Sequence, residues 1–130
     1  MLQRAEAAGA TSVCLTIDLL GRRNTETQSR LFREDDRNCL DCHRGQAKPM
    51  FEGLDMRGAR LTDPSLTWDV IGRMKQVTDM NVIIKGIEVA EDAAFAVEYG
   101  ADGIIVSNHG GRAVETGRGT IECLPKVVAA

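Results

Sequence analysis

The chain has 130 residues, 43% of them hydrophobic and 27% charged, which is the make-up of an ordinary globular domain. A formal charge of -3, with lysine and arginine mixed among acids, gives no basic field for nucleic acid or an anionic membrane. No apolar run nears the roughly 20 residues that cross a bilayer, and the start of the chain carries charges where a signal peptide needs its apolar stretch. The expected compartment is cytoplasmic, where cysteines stay reduced.

In chain order, Leu2 to Ala8 reads as the last turns of a helix stopped by Gly9. Ser12 to Ile17 follows as a short strand, nearly continuous in apolar residues and so expected to be buried on both faces. Cys14 and, later, Cys123 stand in apolar surroundings and are expected to be buried small hydrophobes. Between about residues 20 and 63 the apolar periodicity is lost. This stretch reads as a long lid-like loop, with a short helix around Glu26 to Glu34. Trp68, Ile71 and Met74 restore helical spacing over Thr67 to Val77, and Val82 to Lys85 is a second β-branched strand. A helix from about Val89 to Tyr99 has Ala90, Ala93, Ala94 and Val97 as its expected apolar face, with Glu88, Glu91 and Asp92 near its positive end. Gly103 to Ser107 is the third strand, and a glycine-rich loop leads to an amphipathic helix from about Ile121.

Short buried strands alternating with helices predict an α/β fold with a parallel β/α sheet and right-handed crossovers. Chemistry in such folds collects at the C-terminal ends of the strands. The polar residues obey that rule: Thr16 and Asp18, Lys85, and Ser107 to Arg112 each end a strand.

His109 follows an apolar strand and precedes two glycines. An imidazole titrates near neutrality and suits a general base. Gly110 and Gly111 let the backbone turn sharply and bring Arg112 back to the same mouth. The arginine fork grips a carboxylate bidentately, so base and clamp together match the oxidation of a 2-hydroxy acid. The bland alternative is a glycine turn with a solvated His and Arg. Lys85, followed directly by Gly86, either snorkels to solvent or sets a fixed positive charge inside a pocket.

The segments Ile84-Lys85-Gly86-Ile87, Ala90-Glu91-Asp92-Ala93 and Gly100 through Ser107-Asn108-His109-Gly110-Gly111-Arg112 resemble the FMN-dependent 2-hydroxy-acid dehydrogenase/oxidase family. Lactate oxidases and dehydrogenases, glycolate oxidase and mandelate dehydrogenase belong to it. Arg4 to Gly9, Leu15 to Asp18, Gly21-Arg22-Arg23, Thr120-Ile121 and Leu124-Pro125 extend the likeness over most of the chain. The resemblance implies FMN as cofactor, contacted by Thr16, Lys85 and Ser107, with Lys85 stabilising negative charge on the reduced flavin. It also implies His109 as the catalytic base and Arg112 with Arg23 on the substrate carboxylate. The products would be 2-oxo acids from a lactate-like L-2-hydroxy acid. No metal is implied, and the parent enzyme is expected to be a homo-oligomer.

The family fold is an eight-stranded β/α barrel of about 250 residues, of which this chain resembles strands four to six, a partial TIM barrel. The expectation is therefore a fragment or truncated copy, filling residues 1–130 with a partial FMN hydroxy-acid dehydrogenase domain. By itself it should bind FMN weakly or not at all. Its unpaired strand edges would favour self-association. A competing motif is Cys39-Leu40-Asp41-Cys42-His43, the C-x-x-C-H pattern of haem attachment. It lacks a visible export signal, and its three ligands fall short of a closed zinc site.

Overall fold

Runs rich in Val and Ile fit a pleated, half-buried surface, and three of them pair in parallel as β1 (Ser12–Thr16), β2 (Asn81–Ile87) and β3 (Gly103–Val106), in that order. The computed structural model describes residues 1–19, 26–34, 53–55, 57–58, 63–114 and 116–130. Helices α1 (Leu2–Ala7), α2 (Glu26–Glu34), α3 (Asp69–Lys75), α4 (Ala90–Glu98) and α5 (Thr120–Val128) complete the described elements. Two compact units emerge, Met1–Gly21 with Thr62–Ala130, and Arg22–Leu61. The second holds α2, which forms where expected, and an exposed Arg57–Asp55 ion pair of 2.6 Å. Most of the expected lid-like loop lies outside the described residues.

In the first unit, the helix-facing side of the sheet makes the core. Val82, Ile84 and Ile87 of β2 pack with Ile71 and Met74 of α3 and with Ala93 and Ala96 of α4. The expectation that the strands are buried on both faces is not met: β1 and β3 have no fully buried residue. Within this unit the core-forming residues of α3, α4 and α5 all join that one side of the sheet. Cys14 is exposed on the other side, with Thr16, whereas Cys123 is buried as expected. The apolar face of α4 is also rotated from the expected one. Ala93 and Ala96 carry it, and Ala94 and Val97 face outward. Trp68, just before α3, reaches α4 with ring centroids 6.1 Å from Phe95 and 6.4 Å from Tyr99.

Lys85 does not close its strand. Register runs Lys85 to Ile105 and then Ile87 to Val106, so Gly86 is an unpaired extra residue, a β-bulge. Strict alternation would put Ile87 on the same side as Lys85. The bulge instead turns Ile87 into the core, where it is fully buried with Val82 and Ile84. Lys85 is left on the opposite face, in register with Thr16 on one side and Ile105 on the other. At the other end of the sheet, Asp102 accepts from Lys75 Nζ at 2.8 Å and from the Val82 N–H at 2.7 Å, which aligns the start of β3 with β2.

Candidate active site

Three strand ends bring Asp18, Lys85, Ser107 and His109 together. The imidazole Nδ1 of His109 lies 2.8 and 2.9 Å from the two carboxylate oxygens of Asp18. The Asp18 side chain is only 6% exposed and that of His109 20%. A carboxylate so placed accepts the Nδ1 proton, which leaves the lone pair of a neutral ring on Nε2. Lys85 Nζ donates to Ser107 Oγ at 2.9 Å, and the same oxygen accepts from the His109 N–H at 3.1 Å. Lys85 Nζ also stands 3.5 Å from His109 Nδ1. With the Nδ1 proton directed at Asp18, that contact is between neighbours, because an ammonium has no acceptor to offer.

The loop after β3 holds the histidine in an unusual backbone state. His109, Gly110 and Gly111 have φ of 58, 68 and 75, three consecutive residues in the left-handed region. For histidine that conformation costs on the order of 1 kcal/mol and persists only where neighbours fix it. His109 itself is held by its N–H on Ser107 Oγ and its ring on Asp18, while the loop that follows is braced by Asn108. Asn108 is buried, its Oδ1 accepts from the Gly111 N–H at 3.0 Å and its Nδ2 donates to the Arg118 carbonyl at 3.0 Å. The Asn108 carbonyl also accepts from the N–H groups of Arg112 and Ala113, each at 3.1 Å. Arg112 is exposed, and its Nε donates to the His109 carbonyl at 2.7 Å. That bond folds the side chain back over the turn and spares the terminal nitrogens of the fork.

Thr16 ends β1 in register with Lys85. Arg23, Cys39, Cys42 and His43 lie outside the described residues. The sequence reading missed two members of this site. In the sequence Asp18 is only a polar residue ending a strand, and Asn108 only a neighbour of His109. The signal for Asp18 is its place just past the end of β1, the same end of the sheet at which Lys85 and His109 lie. A cavity of about 200 Å³ lined by Leu15, Ile17, Trp68, Val70, Ile71 and Ile84 lies on the helix side of the sheet and holds none of these groups.

The family model described as FMN-dependent dehydrogenase matches residues 1–130. The chain belongs to this family. Among curated relatives, the 2-hydroxyacid oxidase of Dictyostelium discoideum is 38% identical over 138 residues, covering 98% of this chain and 33% of its own. The L-lactate oxidase of a Nostoc species is 34% identical over 137 residues, covering 100% of this chain and 38% of its own. The chain thus spans about a third of the length of the curated relatives it matches. A solved mandelate oxidase variant with benzaldehyde shares 36% identity at a TM-score of 0.63, over 98% of this chain and 33% of its own. A flavocytochrome b2 variant with pyruvate bound shares 29% at a TM-score of 0.68, over 98% of this chain and 28% of its own. The family is one of FMN-dependent 2-hydroxy-acid oxidoreductases, and the parallel β/α sheet is the corresponding part of its barrel. The donor set fits the family's cofactor: an ammonium and two hydroxyl-bearing residues lie at adjacent strand ends, as an electron-accepting ring that gains negative charge on reduction requires.

Proposed function

We propose that the gene product oxidises a lactate-like L-2-hydroxy acid to the 2-oxo acid with FMN as electron acceptor. The observation that carries the reading is the Asp18–His109 pair, set beside Lys85 and Ser107 at the same strand ends. His109 takes the substrate's hydroxyl proton on Nε2, and Asp18 holds the ring in that tautomer and stabilises the imidazolium that forms. Arg112, joined by Arg23, binds the substrate carboxylate and so fixes which hydroxyl faces the base. Lys85, Ser107 and Thr16 hold the polar edge of the flavin. When bound, FMN supplies the two-electron acceptor for the hydrogen leaving C2 of the acid. We place the protein in the cytoplasm and expect copies to associate.

The test is anaerobic mixing of the FMN-loaded full-length gene product with L-lactate, glycolate and L-mandelate in turn. Bleaching of the flavin absorbance with at least one acid, lost in His109→Gln, supports the reading. Flavin that stays oxidised with all three overturns it.

A further inference from the structure

We infer that Gly86 is a positioning residue for the base: the empty space where its side chain would be is the seat of Asp18. A Cβ built on Gly86 would lie 2.7 Å from Asp18 Cβ, 2.8 Å from Asp18 Cγ and 2.9 Å from the Asp18 backbone nitrogen. Real Cβ atoms do not approach that closely, and two of the three atoms cannot swing aside as a flexible side-chain tip could. Gly86 also has φ of 114, a backbone state that L side chains rarely adopt. None of the other glycines with positive φ among the described residues has any atom within 4 Å of its would-be Cβ. Steric demand and backbone demand therefore coincide at this one glycine.

The neighbouring bonds explain why Asp18 lies there. The Ile17 N–H donates to the Lys85 carbonyl at 2.9 Å, which pins the exit of β1 beside the bulge and leaves the next residue facing Gly86. Asp18 then reaches His109 Nδ1 with both oxygens. One glycine thus serves two purposes. As the bulged residue it separates the faces of Lys85 and Ile87, and as a residue without Cβ it lets the carboxylate lie against β2. A larger side chain moves Asp18 outward, and His109 loses the partner that sets its tautomer.

The catalytic part of this inference rests on the proposed role of His109; the geometric part stands apart from it. The experiment compares Gly86→Ala, Asp18→Asn and their double variant in the full-length gene product, with Gly103→Ala as control. The control's Cβ would meet only the Ile83 side chain, at 3.7 and 3.9 Å, which is ordinary contact. The first readout is the low-field proton NMR signal of the His109 ring N–H, assigned by its loss in Asp18→Asn. It is expected to vanish in Gly86→Ala and persist in Gly103→Ala. The second is turnover. In Gly86→Ala, kcat should fall roughly 100-fold, into the range of a misplaced acid–base group, with KM little changed. The double variant should be no slower than the slower single.

A low-field signal that survives in Gly86→Ala overturns the inference, as do losses that multiply in the double variant. If no hydroxy acid is turned over at all, the proposed function fails while the NMR comparison still decides the role of Gly86. If Gly86→Ala does not fold, Asp18→Gly is added to it, removing the two side-chain atoms in the way. Partial recovery of soluble protein supports the inference, and no recovery counts against it.

Discussion

His109 and Asp18, 91 positions apart in the chain, meet with Nδ1 2.8 Å from one carboxylate oxygen and 2.9 Å from the other. Neither end of the contact is a matter of local sequence. Asp18 is carried by the turn after β1 and His109 by a left-handed residue after β3, with β2 and its bulge between them. The pair can form only when the parallel sheet is assembled in this register, so the base exists only in the folded sheet.

Asp18→Asn keeps the size of the side chain but removes its charge, and an amide can present N–H as readily as oxygen to the ring. The imidazole then loses the bias towards a free Nε2 lone pair. Turnover of the hydroxy acid should drop on the order of 100-fold or more, with FMN content unchanged. Steady-state kinetics beside flavin absorbance checks this. Unaltered kcat would remove Asp18 from the mechanism.

Lys85 supplies the fixed cation of the site and donates to the Ser107 hydroxyl at 2.9 Å. Lys85→Met preserves the aliphatic stem and deletes the charge that would stabilise a reduced, anionic flavin. Flavin reduction by substrate should slow by on the order of 100-fold, as when one preorganised electrostatic donor is lost, and the flavin potential should fall. Lys85→Arg should recover part of both in stopped-flow and potentiometric measurements.

Much of the scaffold was legible because strand and helix periods differ and the elements are short and alternating. The extent of β2 was not, because Ile84-Lys85-Gly86-Ile87 looks like a strand ending at a lysine and a glycine; only the pairing with β3 reveals a bulge that lets the strand continue to Ile87. The face of α4 was misplaced for a related reason. Ala93, Ala94, Ala96 and Val97 form two adjacent stripes of small apolar residues, and packing against β2 and α3 selects the first. Cys14 was expected inside because apolar neighbours surround it in sequence, yet alternation puts it on the side away from the core with Thr16. The site's motif named His109, Lys85, Ser107 and Arg112 at once, whereas an aspartate after a strand is indistinguishable from any turn residue until its partner is in view.

The base of the sheet offers a pH test of stability. The Lys75 ammonium, and after it the Val82 N–H, hold the Asp102 carboxyl below the usual carboxylate range. A lowered folded value means the stabilisation is fully present above the ordinary aspartate value of about 3.9 and is lost as pH falls through the lower one. Asp102→Asn should therefore be less stable than the parent at pH 7, and the gap should close in acid. Urea unfolding at both pH values measures it, and a gap independent of pH would refute the assignment.

Ile84 is 1% exposed and sits at the centre of the cluster formed by β2, α3 and α4. Ile84→Ala removes buried methyl groups between elements that cannot fully close over the space, at a cost of about 2–5 kcal/mol. Urea unfolding is the measure. A loss below 1 kcal/mol would mean that the site collapses freely and that α3 is not firmly packed on the sheet.

Asn108 offers the sharpest separation of loop order from chemistry, because it is only 7% exposed and its side-chain hydrogen bonds go to loop backbone rather than to the His109 ring. Its side chain joins the Gly111 N–H to the Arg118 carbonyl, so Asn108→Ala leaves a donor and an acceptor unpaired, each costing about 1–3 kcal/mol if it stays buried. The loop should loosen, and with it the fold-back of Arg112 onto the His109 carbonyl. Arg112 is the proposed carboxylate clamp, so KM for the hydroxy acid should rise more than kcat falls. Asn108→Asp keeps the acceptor for Gly111 and loses the donor to Arg118, and it should lie between parent and alanine variant in both stability and KM. If kcat collapses while KM is unchanged, Asn108 supports the base itself, because the loop would then be fixing the left-handed state of His109 rather than the position of Arg112.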